Sequence, residues 1–152
     1  MKHHTQQKGI QKLKQLVKEN NVCLFCIAVS SDDGSGCSPM QALHICDRGN
    51  IWFLSDKNSY KNIEIKKGNQ VQLIFSNSVS NSYFIVNGRA EISRDEQKIE
   101  ELWSPIANQW FKDGKDDPNI SILKVEPLTA YCWDTDSEKM ISFLKVQPPI
   151  SK

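Results

Sequence analysis

The chain has 152 residues, with 19 basic and 18 acidic side chains and a formal net charge of +1. This length is typical of one domain whose core is large enough to fold without disulfides or a structural metal. The balanced charge argues against a protein that binds nucleic acid by neutralising phosphates. No apolar run approaches the roughly 18 residues of a membrane span. Residues 1–7 are polar and unlike a signal peptide, so we expect a cytoplasmic protein.

Five cysteines, an odd number without a repeating spacing, are typical of reduced thiols in a reducing compartment. Cys23 and Cys26 form a CxxC motif, which marks a redox pair or half of a zinc site in some proteins. Here the surrounding sequence, VCLFCIAV, predicts a buried strand, in which residues three apart point to opposite faces. No second CxxC or CxxH completes four ligands. We therefore predict no metal site, and we interpret Cys23, Cys26, Cys37, Cys46 and Cys132 as free thiols.

The first part of the chain predicts one helix followed by a run of short strands. Ile10, Leu13, Leu16 and Val17 recur at helical spacing between lysines, which indicates an amphipathic helix that ends near residue 19. Glycine-containing turns separate the segments that follow, as expected for an antiparallel meander. The predicted strands of this part span residues 22–30, 38–46 and 51–55.

The rest of the chain alternates short helices with strands. A helix capped by Asn58 or Ser59 is predicted to turn Ile63 and Ile65 inward. A second helical segment begins at residues 94–95 and carries an apolar stripe that includes Trp103. The remaining strands are predicted over residues 71–75, 83–92 with a bulge or a close backbone approach at its glycine, 120–133 with a break near its proline, and 140–144.

These elements predict a mainly β (α+β) fold with six or seven antiparallel strands and short peripheral helices. A barrel is the natural packing because closure removes exposed strand edges. No repeat or linker divides the chain, so we expect a single domain over residues 1–152. Within it we expect an amino-terminal helix over 1–21, a barrel over 22–144 and a loosely held tail over 145–152.

The sequence lacks the motifs of common catalytic and nucleotide-binding sites. His44 is the only histidine beyond the amino-terminal residues, and a lone strand histidine is more often a satisfied side chain than a catalytic base. Residues 55–61 join a strand end to a helix start and gather hydroxyls, backbone amides and two lysines. A helix start of this kind binds phosphate, whereas an ordinary helix cap uses the same residue types. The residues alone leave both interpretations open.

Aromatic side chains cluster beside the polar loop of residues 112–118. Trp103, Trp110 and Phe111 lie within or just after the second helical segment. They would pack in the core, or they would form a wall over a planar ligand or against a partner subunit. The residues alone favour neither interpretation.

Several segments, taken in chain order, resemble the pyridoxamine phosphate oxidase-like split-barrel flavoproteins. The shared segments are SPM at 38–40, IWFLS at 51–55, SYK at 59–61 and GRAE at 88–91. A more specific run resembles the bacterial general stress protein branch of that family: IEELWSP at 99–105, WF at 110–111 and DGKDDP at 113–118. The resemblance runs from about residue 22 to residue 133, which is most of the chain.

The resemblance implies a split β-barrel homodimer that binds flavin mononucleotide (FMN), or alternatively flavin adenine dinucleotide (FAD), where its subunits meet. The implied cofactor-binding residues form three groups: a strand along the flavin, a strand end and helix start at the ribityl chain and phosphate, and aromatic residues from the partner subunit. In chain order these are Ser38, Pro39, Met40 and Gln41; then Leu54, Ser55, Ser59, Tyr60 and Lys61; then Tyr83, Trp103, Trp110 and Phe111. Lys61 would supply positive charge to the phosphate.

Two positions depart from the family pattern, which usually has arginine in place of Ser38 and often a basic residue in place of Tyr60. Each lost charged hydrogen bond would weaken phosphate binding by about 1.5–3 kcal/mol. The resemblance therefore supports two hypotheses. One is an FMN-binding general stress protein with flavin-dependent oxidoreductase activity other than pyridoxamine phosphate oxidation, whose catalytic residues are unassigned. The other is a non-enzymatic flavin store, a sensor, or a split barrel that has lost its cofactor. Neither involves nucleic acid or a membrane.

Overall fold

The computed structural model describes residues 2–28, 36–103 and 111–146. Its longest helix, α1 (Lys2–Glu19), lies at the amino terminus and buries Ile10, Leu13 and Val17, as the helical spacing predicted. Within the described ranges, no helix combines the length and the apolar character needed to cross a membrane.

The described chain folds mainly into strands, which form one eight-stranded antiparallel sheet. The strands are β1 (Val22–Ile27), β2 (Cys37–Gln41), β3 (His44–Ile45), β4 (Ile51–Asp56), β5 (Gln70–Asn77), β6 (Ser82–Ser93), β7 (Ile120–Asp134) and β8 (Lys139–Lys145). Between them lie α2 (Tyr60–Lys67), α3 (Glu96–Leu102) and a 3-10 turn (Gly114–Asp116). The mainly β architecture predicted from the sequence is therefore confirmed.

The sheet curls because its two edge strands are consecutive in the chain. The strand order is β2-β1-β5-β6-β7-β4-β3, and β8 pairs with the second half of β7. After β2, the Ala42 amide donates to the Asn21 carbonyl at 2.7 Å, and the next amide, Leu43, donates to the Trp52 carbonyl at 2.9 Å. The chain thus leaves β1 and joins β4 between neighbouring residues, which links the two edges of the sheet into a split barrel.

This change of partner corrects one sequence prediction. Residues 38–46 were expected to form one strand, but the structure divides them into β2 and β3 because their hydrogen-bond partners lie on different strands. The expected break at Pro127 is also wrong, since β7 is continuous there. The register against β6 does shift at this point, because Gly88 pairs with Pro127 and Asn87 with Thr129, which leaves Leu128 of β7 as the extra residue opposite the glycine where the sequence predicted a bulge or a close backbone approach.

The short helix α2 turns a different face inward from the one expected. Ile65 is 4% exposed, as predicted, whereas Ile63 is 46% exposed. The inward face of α2 carries Asn62 in addition to Ile65, because the Asn62 side chain bonds to residues of the barrel strands. The helix therefore docks partly through polar groups.

Two apolar clusters lie on opposite faces of β4 and β7. The main cluster fills the barrel and includes Phe25 and Phe53, whose rings meet edge to face with centroids 5.2 Å apart. The second cluster lies beneath α3 and consists of Ile99, Leu102, Phe111, Ile120 and Ile122. Alternate residues of β4 and β7 serve the two clusters, as expected for strands that are covered on both faces.

Candidate functional site

The start of α2 carries the residues predicted to hold a phosphate. Ser59 is the N-cap residue, and its hydroxyl accepts a hydrogen bond from the Asn62 amide at 3.2 Å, which confirms the predicted cap. The amides of Tyr60 and Lys61 have no acceptor among the residues that the structure describes. Two donors of the first helical turn are therefore available to an anion.

Lys61 lies half-buried beside these amides. Its ammonium nitrogen is 5.9 Å from the centroid of the Phe25 ring. It forms no ion pair or hydrogen bond with any residue in the described ranges. Burial lowers the pKa of Lys61, since the protein removes water from the charge without supplying an anion. A bound anion would supply the counterion that this lysine lacks.

Ser38 lies beside the same phenylalanine on the neighbouring strand. It is the cross-strand partner of Phe25, and it shares the inward face of β2 with Met40, which packs against the main cluster. Pro39 and Gln41 occupy the outward face of the strand. The structure therefore brings Ser38 and Lys61, which lie in separate segments of the sequence, next to one aromatic residue.

A buried polar network holds α2 in this position. The Asn62 side chain is fully buried, accepts from the Ser55 hydroxyl at 3.0 Å and donates to the Ser121 hydroxyl at 2.8 Å. The two serine hydroxyls are themselves 2.7 Å apart. Ser55, which was predicted to contact the cofactor, is 6% exposed, and its hydroxyl forms hydrogen bonds within this network. Its position therefore suits it to orienting α2.

Sequence reasoning missed both Asn62 and Ser121. Asn62 could have been found, because a Ser-x-x-Asn spacing after a helix cap places a polar side chain back against that cap. The Ser59 hydroxyl donates a hydrogen bond to the side-chain oxygen Oδ1 of Asn62 at 3.2 Å. Ser121 carries no such signal, since it is a single hydroxyl in an apolar strand and its partners come from β4 and α2.

The loop before α2 is tied to itself and to the start of β7. The Asp56 carboxylate accepts from the Asn58 amide at 2.8 Å, so this negative charge serves its own turn. The Lys57 amide donates to the Asn119 carbonyl at 2.7 Å. Tyr60, the first residue of the helix, is 44% exposed. The loop is therefore held by backbone contacts, while its basic and aromatic side chains face outward.

Leu54 and two of the predicted aromatic residues meet in the second cluster. Phe111 is 5% exposed, and its ring centroid is 6.1 Å from that of Trp103. Leu54 and Trp103 are half-buried and pack against the same cluster. Phe111 thus packs within its own subunit, which is the core interpretation of this segment. Trp110 lies outside the described residues.

The outer face of the sheet carries an apolar row that crosses five strands. Each residue of the row is the cross-strand partner of the next, along β2, β1, β5, β6 and β7: Pro39, Leu24, Ile74, Ile85 and Tyr131. Leu24 is 45% exposed, and Tyr83 on the same face of β6 is 36% exposed. Ile74, Ile85 and Tyr131 are half-buried. An apolar row that stays partly exposed across adjacent strands is typical of an interaction surface. The row begins at Pro39, one of the predicted cofactor residues.

A groove of about 600 Å³ lies between α1 and residues 42–47 and includes none of the predicted cofactor residues. Lys14 pairs there with Asp47 at 2.6 Å, which lowers the pKa of that carboxyl. His44 lines the groove and is exposed. In the described part of the chain, no three histidine, cysteine or acidic side chains group into a metal site.

The family model for pyridoxamine 5'-phosphate oxidase-like proteins matches residues 8–149. The chain belongs to this family. General stress protein 26 of Bacillus subtilis is 32% identical to it over 80 residues, which are 51% of this chain and 56% of that protein. The chain thus matches little more than half the length of that curated relative.

Solved structures of the pyridoxamine 5'-phosphate oxidase-like family share the fold. A general stress protein 26-related protein from Clostridium acetobutylicum superposes with a TM-score of 0.75 at 19% identity, over 91% of this chain and 95% of that one. The general stress FMN/FAD binding protein of Xanthomonas citri gives a TM-score of 0.67 at 22% identity, over 94% and 97% of the two chains. The predicted resemblance to the general stress branch and the split-barrel fold are both confirmed.

Proposed function

We propose that this member of the pyridoxamine 5'-phosphate oxidase-like family binds FMN, with its phosphate at the start of α2, in a homodimer. The observation that carries the proposal is Lys61, a half-buried cation without a counterion among the described residues, beside two unbonded amides. A structural relative, the Xanthomonas citri protein, is an FMN/FAD binding protein. FMN, when bound, supplies two-electron redox chemistry, and the protein supplies position and electrostatics.

The donors at the helix start match the chemistry of a phosphate. The Lys61 ammonium acts as a point charge, and the amides of Tyr60 and Lys61 add directional hydrogen bonds. Ser38 offers a hydroxyl where the family pattern usually has an arginine, so the affinity rests more heavily on Lys61. Ser59 already caps the helix, and Ser55 belongs to the buried network, so both act mainly by fixing the position of Lys61.

The apolar row on the outer face supports the homodimer. Leu24, Ile74 and Ile85 stand directly opposite one another on three adjacent strands, and their exposed apolar area gains from burial against a second copy. The row ends at Pro39 on the predicted flavin strand, so an interface built on it would lie beside the cofactor residues. Tyr83 lies on the same face, where it would approach the flavin of the partner subunit.

A second candidate function is non-enzymatic: a flavin store, a sensor, or a split barrel without cofactor. Two observations favour it. Ser38 and Tyr60 supply no charge to the phosphate, and the exposed Asp56 carboxylate stands in the same loop as an additional negative charge. Phe111 is 5% exposed in its own subunit, so little of its ring is free to contact the flavin of a partner subunit.

The decisive experiment compares FMN with riboflavin, which lacks the phosphate. Purified protein is titrated with each, and binding is followed by quenching of flavin fluorescence and by absorbance near ~450 nm, where oxidised flavins absorb. We expect FMN to bind more tightly than riboflavin. Lys61→Ala should raise the Kd for FMN by about tenfold or more, which is the effect expected when a charged hydrogen bond is lost. Riboflavin binding should change little.

Lys66→Ala is the matched control, since Lys66 is an exposed lysine of the same helix. Equal affinity for FMN and riboflavin, or unchanged FMN affinity in Lys61→Ala, would place the phosphate elsewhere. Failure to bind any flavin, FAD included, would favour the split barrel without cofactor. For a protein that binds FMN, bleaching of the flavin by a reduced nicotinamide then separates an oxidoreductase from a store or sensor.

A further inference from the structure

Two cysteines from different strands face each other at one end of the sheet. Cys26 in β1 and Cys37 in β2 are direct cross-strand partners. The CxxC motif drew attention to Cys23 and Cys26, but Cys23 points into the core and Cys26 does not. The pairing of the strands, and not the spacing in the sequence, brings two thiols together.

The hydrogen-bond pattern of the β1–β2 pair identifies the kind of site that these cysteines occupy. The Ile27 amide donates to the Gly36 carbonyl at 2.8 Å, and the Ala42 amide donates to the Asn21 carbonyl at 2.7 Å. Bonded and non-bonded pairs alternate along an antiparallel ladder, so the Cys26–Cys37 pair is non-bonded. Such pairs have Cα atoms about 4.5 Å apart and the closest side chains, which falls within the range that a disulfide spans.

The two thiols differ in environment. Their side chains are in hydrogen-bond contact, and Cys26 is half-buried whereas Cys37 is exposed. Burial, with the contact to Cys37, raises the pKa of Cys26 to about 12. A reagent in solution therefore meets the Cys37 thiol first, and Cys26 stands behind it as a protonated partner.

The surroundings of the pair are polar. Cys26 is opposite Gln72 on β5, and the Gln72 side chain donates to Asn87 at 2.9 Å. Asn87 in turn donates to Thr129 at 3.1 Å. This hydrophilic row runs alongside the apolar row that starts at Pro39, and Cys37 is exposed to solvent at its end in the isolated subunit. No other cysteine in the described strands has a cysteine as its cross-strand partner.

We propose that Cys26 and Cys37 form a peroxide-oxidisable dithiol that closes to an intrasubunit disulfide. The Cys37 thiolate attacks one oxygen of the peroxide, the O–O bond breaks, and Cys37 becomes a sulfenic acid; the departing alkoxide or hydroxide takes a proton from solvent and leaves as alcohol or water. The Cys26 sulfur then attacks the Cys37 sulfur, the S–O bond breaks, and the departing hydroxyl group takes the thiol proton of Cys26 and leaves as water, which completes the S–S bond. Two thiols thereby lose two electrons, and the peroxide gains them.

The disulfide joins β1 to β2 immediately before Ser38. It fixes the edge strand that carries Ser38 and Pro39 to the body of the barrel. The pair is a modification site in its own right and does not depend on flavin binding, because both cysteines and their contacts belong to one subunit. It can be tested on the purified chain, with or without FMN.

The experiment exposes reduced protein to hydrogen peroxide, blocks the remaining thiols by alkylation and maps the peptides by mass spectrometry. We expect a Cys26–Cys37 disulfide, seen as a loss of about 2 Da relative to the dithiol, that dithiothreitol reverses. Its rate of formation should not depend on protein concentration. Cys26→Ser should halt the reaction at a Cys37 sulfenic acid, which dimedone traps. Both Cys26→Ser and Cys37→Ser should lower the yield of intrasubunit disulfide by about tenfold or more.

Cys46→Ser is the control, since Cys46 lies outside the strand pair, and it should leave the yield unchanged. A disulfide between subunits, or one that uses a different cysteine, would overturn the proposal. So would a wild-type protein in which Cys37 accumulates as sulfenic acid while Cys26 stays open to alkylation.

Discussion

The ammonium of Lys61 lies 5.9 Å from the centroid of the Phe25 ring, and no carboxylate in the described residues neutralises it. Phe25 is also the cross-strand partner of Ser38. The start of α2 and the edge strand β2 thus meet at one aromatic ring. Among the described residues Phe25, Ser38 and Lys61, only Lys61 carries a charge, and burial removes part of its hydration. The charged lysine therefore costs folding free energy when no anion is bound, and a bound anion would offset that cost.

Replacing Lys61 with methionine should stabilise the flavin-free protein near neutral pH. Burial lowers the pKa of Lys61 from its ordinary value of 10.5, so folding disfavours the charged form. This penalty is fully present below the folded pKa and disappears as the pH rises from there to the unfolded value. In urea unfolding, the free energy of unfolding of Lys61→Met should therefore exceed that of wild type at pH ~7, and the difference should shrink as the pH approaches ~10.

Saturating FMN should reverse that order. A ligand that binds the folded state raises the free energy of unfolding more when it binds more tightly, and we expect wild type to bind FMN more tightly than Lys61→Met. Lys66→Met, at an exposed position of the same helix, should match wild type throughout. A Lys61→Met protein that is less stable than wild type without flavin would mean that Lys61 already has a stabilising partner.

Asn62→Ala should lower the free energy of unfolding by about 2–3 kcal/mol, since it leaves the buried hydroxyls of Ser55 and Ser121 without their shared partner. Denaturant unfolding measures the loss. Asn58→Ala is the control, because Asn58 is exposed and should change stability by no more than about 0.5 kcal/mol. Equal effects of the two substitutions would argue that the network contributes nothing beyond a surface contact.

Gly88→Ala should destabilise the β6–β7 pair. A Cβ at Gly88 would overlap the carbonyl oxygen of Glu126, and backbone cannot move aside as a side-chain tip can. We expect a loss of about 2 kcal/mol or more in thermal or urea unfolding, as for other overpacked sites. Gly68→Ala is the comparison, since a Cβ there meets no atom within 4 Å. If both variants unfold like wild type, the close approach at the bulge is not a constraint.

Leu24→Asp should weaken self-association without unfolding the subunit. Leu24 is 45% exposed in the isolated chain and stands between Pro39 and Ile74 in the apolar row, so a charge there is tolerated in the monomer and costly in an interface. Sedimentation velocity over a concentration series should show a wild-type dimer and a shift of the variant towards monomer. Val79→Asp, at a position 97% exposed in a turn, should remain dimeric. A Leu24→Asp dimer of wild-type stability would place the interface on another surface.

Much of the fold was predictable from local patterns. The helical spacing of Ile10, Leu13 and Val17 and the alternating burial of β1 and β5 each reflect contacts with one dominant apolar core, which imposes its period on neighbouring residues. The Ser59 cap and the Gly88 bulge were predictable for a related reason, since each meets a requirement of its own stretch of backbone. The predictions at residues 38–46 and at Pro127 failed where a strand changes partner, because that change depends on the strands beside it.

The site divides in the same way. The sequence by itself determined the family, the antiparallel barrel and the helix start that carries Ser59 and Lys61, because motif, period and cap are properties of contiguous residues. Only the tertiary structure decided that Lys61 lies over Phe25, that Asn62 holds Ser55 and Ser121, and that Cys26 faces Cys37. Each of these contacts joins segments distant in the chain. Strand register and the curl of the sheet, which the whole core sets together, decide which distant side chains meet.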